Sequence, residues 1–336
     1  MSAVFDTDLT RKFSLRAPVV AGGLMWLGDA DYAASAANAG ILGFITAAGF
    51  PEPEDLKAEI AKARHLSGDR PFGVNVSMLP KLVPGEKTAD VFRLIAGEGV
   101  EVIETSGRNP EPYMDLLRDL DLFVIHKVPS VRFAEKAATL GVDMVSIVGA
   151  ECGGHPGLDM VGSFVNAALA ARRLDCPFLI GGGIGDGAQI TAALAMGASG
   201  VVMGTRLLVA SELNAHADYK AALIAATERD TALTMRSVRN TIRTLANETT
   251  DLVTQMETED PDIGIDALMP HVAGKIGRKA YETGDVSRGL LSAGQSLGMV
   301  NRIAPMAEIV AELETQALAA RNRLLSAMPM DQGAPQ

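Results

Sequence analysis

The sequence of 336 residues predicts an α/β fold, a closed (β/α)8 barrel with an inserted helical lobe after the eighth strand. Two observations carry this prediction. Apolar and helical segments alternate eight times between residues 17 and 210, and most of the apolar segments are continuous. Continuous apolar strands are typical of parallel sheets that are buried on both faces. Eight β-then-α units favour a closed barrel.

An open doubly wound sheet is the alternative fold. Such a sheet usually has fewer strands and carries a G-x-G-x-x-G sequence after its first strand. The loop after the first predicted strand reads GGLMWLG over residues 22–28, and its glycine spacing differs from that sequence. The closed barrel is therefore favoured.

Turn-forming residues and helix caps set the boundaries of the repeating units. Gly40 and Gly197 fit helix C-terminal ends. Pro51 and Pro53 precede a helix, and Ser130 is suited to an N-cap. The predicted strands cover residues 17–21, 41–46, 72–76, 100–104, 122–126, 143–148, 178–180 and 199–203. The predicted helices cover residues 29–38, 54–65, 88–98, 111–117, 130–140, 159–173 and 186–196, and one starts near residue 205.

The pattern changes after about residue 211, where charged helical segments replace the strands. Helices are predicted at 218–227, 230–247, 267–282 and 304–327, with an acidic turn at 257–261. The chain is therefore divided into a barrel portion, residues 1–213 and 291–336, and a helical lobe on the substrate side, residues 214–290.

The composition narrows the class of protein. The net charge of −11 and the pI of about 5.0 argue against nucleic acid as a partner, because phosphate backbones require a basic face. The two cysteines form no disulfide framework, and no signal peptide is apparent. No apolar stretch is long enough for a membrane span. A cytoplasmic protein that acts on small molecules is expected.

The loops after the strands of a barrel share one face, where such proteins carry their chemistry. Glycine-rich loops follow the seventh and eighth strands, where barrels commonly bind phosphate through backbone N–H groups and a helix N-terminus. These loops contain Gly182, Gly183, Met203, Gly204 and Thr205. They predict an anion site, whereas tight turns without a ligand are the simpler interpretation.

Three further residues are candidates for chemistry. Lys127 ends the fifth strand and could stabilise negative charge near a phosphate-bearing cofactor. Strand alternation places His126 on the opposite face. His155 lies on a glycine loop after the sixth strand, and nearby Cys152 makes a thiolate nucleophile an alternative. Sequence patterns for a metal site, a nucleophile elbow or a P-loop are absent.

The sequence resembles the nitronate monooxygenase family, formerly called 2-nitropropane dioxygenases, from about residue 10 to 325. The resemblance rests on PVVAGG at 18–23, GAECGGHPG at 149–157, GGG at 181–183 and MGTR at 203–206. VIHK at 124–127, MRSVRNT at 235–241 and SAGQ at 292–295 are most similar to its bacterial NADH:quinone reductases. FMN-dependent enoyl-acyl-carrier-protein reductases share a pattern close to residues 151–155.

The resemblance implies an FMN-binding TIM barrel that oxidises alkyl nitronates with O2 through reduced flavin. It implies that Gly182, Gly183, Gly204 and Thr205 hold the FMN phosphate, with Met203 beside them and Gln295 approaching from the C-terminal segment. The residues implied to line the flavin are Gly22, Gly23, Leu24, Asn75, Lys127, Gly153 and Gly154. His155 would face the flavin and the substrate as the catalytic residue.

Several alternatives stay open. The chain lacks the glutamines that the reductase branch typically carries at Ala21 and Met25, and Leu290-Leu291 replace a common tryptophan. These differences suggest a differently shaped pocket. The rival functions are an NAD(P)H:quinone or enoyl-type reductase, with NAD(P)H as co-substrate, and a flavin-free phosphate-binding isomerase or lyase. A homodimer is compatible with every one of these functions.

Overall fold

The computed structural model describes residues 4–78 and 86–328, and within them the predicted barrel is confirmed. Eight parallel strands form a closed barrel in which β1 pairs with both β2 and β8. The strands are β1 (Val19–Ala21), β2 (Leu42–Thr46), β3 (Phe72–Ser77), β4 (Val102–Ser106), β5 (Phe123–Val128), β6 (Met144–Val148), β7 (Phe178–Gly181) and β8 (Gly200–Met203).

Two apolar clusters fill the barrel portion. One lies between the sheet and the surrounding helices. The other fills the barrel interior with alternate strand residues such as Val20, Phe44 and Val102. A short helix that was not predicted, α1 (Asp8–Phe13), adds Leu9 and Phe13 to the interior cluster. The interior is therefore packed at the N-terminal ends of the strands, and polar residues are left to the C-terminal ends.

The helices around the barrel follow the predicted order. They are α2 (Ala30–Ala39), α3 (Pro53–Ser67), α4 (Thr88–Gly97), α5 (Met114–Asp119), α6 (Val131–Thr139), α7 (Ser163–Arg173) and α8 (Gly187–Ala195). Asp186 and Gln189 form a capping box at the start of α8. The helix predicted near residue 205 is a single 3-10 turn, Thr205–Leu207.

The lobe contains a hairpin where a helix over 230–247 was predicted, so that prediction is wrong. Strands β9 (Thr231–Thr234) and β10 (Ile242–Leu245) pair in antiparallel register. The connecting loop holds Met235 and Arg239 at positive φ, which a helix does not allow. Strand β10 also bridges to Gly154 through Arg243 and to Ser292 through Thr244. These long-range partners override a charge pattern that is helical when considered locally.

The rest of the lobe is helical: α9 (Ala217–Ala225), α10 (Glu248–Glu259), α11 (Ile265–Val272) and α12 (Gly274–Thr283). Two local predictions are corrected here. Helix α10 covers most of the predicted acidic turn at 257–261, and the predicted helix 267–282 is broken at Ala273. Finally, α13 (Met306–Ala327) packs against α8. No helix among the described residues is long and apolar enough to cross a membrane.

Candidate active site

Three polar side chains meet inside the barrel at the C-terminal ends of β3, β4 and β5. Asn75 and Lys127 both donate to Glu104 Oε2, from Nδ2 at 2.5 Å and from Nζ at 2.9 Å. The Glu104 side chain is completely buried, and 23% of the Lys127 side chain is exposed. This group, called the ion-pair cluster below, places a fixed cation at the edge of the barrel interior.

The neighbouring His126 points the other way, as strand alternation predicts. Its Nδ1 lies 2.8 Å from Thr105 Oγ1, on the face of the sheet that packs against helices. Burial, and secondly the charge of Lys127, lower the pKa of His126 to about 4. This imidazole is therefore neutral near pH 7 and lies outside the candidate site.

The loop after β7 has a backbone that only glycine adopts easily. Gly182 and Gly183 have φ values of 96° and 71°. A Cβ added to Gly182 would lie 2.8 Å from Ser163 Oγ and 2.9 Å from the Gly149 amide nitrogen. Within residues 4–78 and 86–328, the amides of Gly182 and Gly183 donate no hydrogen bond.

The loop after β8 continues this arrangement. The amides of Gly204 and Thr205 also have no acceptor in the described part of the chain. Backbone N–H groups without a protein acceptor, on loops that run through glycine, fit a phosphate group. The two loops after β7 and β8, called the glycine loops below, could therefore hold the phosphate of a cofactor.

The loop after β1 lies between the glycine loops and the ion-pair cluster. The Gly22 amide donates to the Met203 carbonyl at 3.1 Å. A Cβ added to Gly23 would lie 2.6 Å from Asn75 Cβ, and one added to Gly204 would lie 3.6 Å from Leu24 Cδ2. The fold thus brings together candidate residues that lie far apart in the sequence.

The C-terminal segment is joined to the loop after β6. The backbone N–H of Gln295 donates to the Glu151 backbone carbonyl at 2.9 Å. The backbone N–H of Gly294 donates to Thr205 Oγ1 at 2.8 Å. A Cβ added to Gly153 would lie 2.7 Å from the Gly294 nitrogen. Gln295 is therefore placed beside both the β6 loop and the glycine loops.

Hydrogen bonds from Ser163 hold the start of α7 against the same loops. Both Glu151 carboxylate oxygens accept from the Ser163 amide, at 3.0 and 3.1 Å. The Ser163 hydroxyl donates to the Gly181 and Gly182 carbonyls at 2.8 Å. A carboxylate is favoured at a helix N-terminus by the helix dipole.

His155 lies on the loop after β6, directly after the residue that joins this loop to the lobe. Gly154 and Arg243 exchange N–H···O bonds of 2.9 and 2.7 Å, and the Arg243 guanidinium donates to the Ala150 carbonyl at 3.0 Å. The His155 side chain keeps exposed surface. Surrounding protein, and secondly the Lys127 charge, lower the pKa of His155 below its ordinary value, so the imidazole is neutral near pH 7.

Cys152 does not fit the thiolate alternative. The side chain is buried, and this burial raises the pKa of the Cys152 thiol to about 12. The thiol therefore stays protonated near pH 7, and it is not an activated nucleophile.

Sequence analysis missed three residues that organise the site. Glu104 follows Val102 and Ile103 in β4, and an acidic residue next to apolar ones in a predicted buried strand was an available signal. Arg243 lies in the segment wrongly predicted to be helical. Glu151 belongs to the motif at 149–157, of which only the glycines, Cys152 and His155 were given a role.

The differences at Ala21 and Leu291 fall on buried side chains. Ala21 has no exposed surface and belongs to the cluster between sheet and helices, and Leu291 is also completely buried. Neither side chain therefore lines an open pocket. Met25, by contrast, is 45% exposed on the β1 loop.

The fold and the site together define a class of protein: a barrel enzyme with glycine-rich loops and a fixed cation at the carboxyl ends of its strands. The model of the family described as "Nitronate monooxygenase" matches residues 6–316. The chain belongs to the nitronate monooxygenase family of flavin-dependent oxidoreductases, as the motifs predicted.

Individual relatives agree with this membership. The chain is 26% identical to nitronate monooxygenase of Paraburkholderia phytofirmans, covering 89% of this chain and 92% of the relative. It is 31% identical to a 5-hydroxy-7a-methyl-1-oxo-octahydro-1H-indene-4-carboxyl-CoA dehydrogenase of Mycobacterium tuberculosis. The match covers 82% of this chain and 75% of the relative.

Solved structures give the same result. FabK from Thermotoga maritima superimposes with a TM-score of 0.88 at 30% identity, covering 96% of this chain and all of that chain. Nitroalkane oxidase from Streptomyces ansochromogenes gives a TM-score of 0.77 at 25% identity, covering 94% and 99%.

Proposed function

We propose that this oxidoreductase binds FMN at the described site and oxidises alkyl nitronates with O2. The observation that carries the proposal is that two complementary features lie at the same end of the barrel, on different strands. The glycine loops offer free amides at one side, and the ion-pair cluster offers a cation at the other. A flavin mononucleotide has a phosphate at one end and a ring that gains negative charge on reduction at the other.

The glycine loops would hold the FMN phosphate through the amides of Gly182, Gly183, Gly204 and Thr205. The ring would lie against residues that share the opposite side of the site, namely Gly22, Gly23, Leu24, Asn75 and Lys127. Gly153 and Gly154 would contact the cofactor from the β6 loop, and Met203 and Gln295 would lie near its phosphate end. A bound flavin would supply the redox chemistry between the substrate and O2. Lys127 would stabilise the negative charge that reduction places on the ring.

His155 would orient the substrate. Because its pKa is lowered, the imidazole is neutral near pH 7 and offers one N–H donor and one acceptor. A nitronate already lacks its α-proton, so a hydrogen bond to its anionic oxygen is sufficient. In a reductase, the same N–H could support or protonate the reduced product.

The experiment is an anaerobic reduction of the purified protein, followed by the visible flavin band. We expect one FMN per chain and rapid bleaching when an alkyl nitronate is added. A parallel sample receives NADH or NADPH. Fast bleaching by the nicotinamide alone would instead assign the chain to the reductases, and a protein that retains no FMN after reconstitution would refute the flavin site.

A second candidate function is an oxidoreductase for acyl thioesters. Relatives that are 31% and 32% identical to this chain are named carboxyl-CoA dehydrogenases. The exposed Met25 on the β1 loop fits an apolar substrate better than a polar glutamine would. Reduction or oxidation of an acyl-CoA in the same flavin assay would favour this function. A cytoplasmic location and a homodimer stay predictions.

A further inference from the structure

Glu104 is a buried carboxylate that is only half satisfied by the protein. It is fully inaccessible to solvent, and Oε2 accepts both the Asn75 amide and the Lys127 ammonium. Oε1 is buried and has no hydrogen-bond partner among the described residues. An unpartnered buried carboxylate oxygen costs free energy, so its presence in a buried strand requires a reason.

We infer that Glu104 is a positioning residue that fixes Lys127 and Asn75 and sets the reduction potential of the flavin. This inference rests on the proposed FMN site. The strand register supports it, because Asn75 pairs with Glu104, and Glu104 pairs with Ile125, two residues before Lys127. The three side chains therefore point into the barrel side by side.

Glu104 determines which atoms its neighbours can offer. A carboxylate accepts hydrogen bonds only, so Asn75 must present its NH2 group to Glu104 and its carbonyl oxygen to the other side. That oxygen accepts from Ser77 Oγ at 3.3 Å. The same carboxylate holds the Lys127 ammonium at 2.9 Å, which restricts a long and otherwise mobile side chain.

The carboxylate also adjusts the local charge. Lys127 alone would favour a negatively charged reduced ring, and its ion pair with Glu104 partly cancels that field. Replacing Glu104 with a neutral residue leaves the ammonium uncompensated. The reduced flavin is then stabilised, and the reduction potential of the flavin rises.

The test is the reduction potential of FMN-loaded protein, measured against a reference dye. Glu104→Gln and Glu104→Ala both remove the charge, and each is expected to shift the oxidised-to-reduced ratio at least tenfold toward reduced flavin, about 30 mV for a two-electron couple. Glu104→Asp keeps the charge and is expected to stay within threefold of the wild-type ratio. The Asp variant therefore separates the effect of the charge from the effect of side-chain packing.

The matched control is Glu101→Gln. Glu101 is exposed at the beginning of the same strand region, and the same chemical change there should leave the potential unchanged. A wild-type potential in FMN-loaded Glu104→Gln or Glu104→Ala would overturn the inference, as would an Asp variant that matches the neutral variants. Wild-type protein that retains no FMN would instead refute the proposed function itself.

Discussion

The two ends of the candidate site are built from different parts of the polypeptide. The glycine loops offer backbone amides, and they have no room for a side chain at Gly182, since a Cβ there would crowd three neighbouring atoms within 3.0 Å. The ion-pair cluster offers side chains whose charges are fixed by one buried carboxylate. Shape therefore controls binding at one end, and charge controls it at the other. Four predictions test this contrast, from the largest expected effect to the smallest.

At the glycine loops, Gly182→Ala should abolish FMN retention. The substitution adds a crowded Cβ at a φ of 96°, which strains the loop and displaces its amides. FMN content and fluorescence titration measure the effect. Gly141→Ala is the matched control, because Gly141 has a φ of 80° and no atom within 4 Å of the added Cβ. Normal FMN binding by Gly182→Ala would contradict the role of shape at this end.

In the ion-pair cluster, Lys127→Met should destabilise the protein by about 3 to 5 kcal/mol, because it leaves a buried carboxylate without its cation. Urea unfolding of the flavin-free protein measures the free energy. Lys57→Met removes an exposed lysine from a surface pair with Glu54 and should change little. Equal effects of the two substitutions would show that the burial of Glu104 carries no special cost.

On the opposite face of the same strand, His126 should make the fold sensitive to acid. Its pKa of about 4 lies below the ordinary value of 6.5, so the folded state prefers the neutral ring. The stability is fully present above pH 6.5 and is lost as the pH falls toward 4, by about 3 kcal/mol in all. Unfolding free energies between pH 4 and 7.5 should decline less in His126→Asn. Parallel curves for both proteins would refute this assignment.

The smallest effect is expected at the substrate side. His155→Gln should lower nitronate turnover about tenfold to hundredfold, less than full general acid–base catalysis supplies, while FMN content stays normal. Steady-state kinetics measures the turnover, and a flavin assay measures the FMN content. The control is His65→Gln, on the exposed surface of α3, which should be without effect. Unchanged turnover in His155→Gln would remove the histidine from the reaction.

Local patterns were enough to predict the barrel and most candidate residues. The continuous apolar strands and the glycine stops are short-range signals, and the loops after β7 and β8 contain consecutive glycines that report backbone conformation directly. The hairpin at 231–245 was missed because its strands depend on Gly154 and Ser292, which lie far away in the sequence. Local charge periodicity therefore gave the wrong element.

The sequence by itself determined the order of strands and helices, the positions of the glycines and the family motifs, because each depends on residues close together in the chain. Only the tertiary structure decided that Asn75 and Lys127 donate to the same carboxylate oxygen of Glu104, and that Ala21 faces away from the site. Barrel closure brings separate strands to one edge and fixes which alternate residues point inward. The chemistry of the site therefore depends on register, which no local pattern contains.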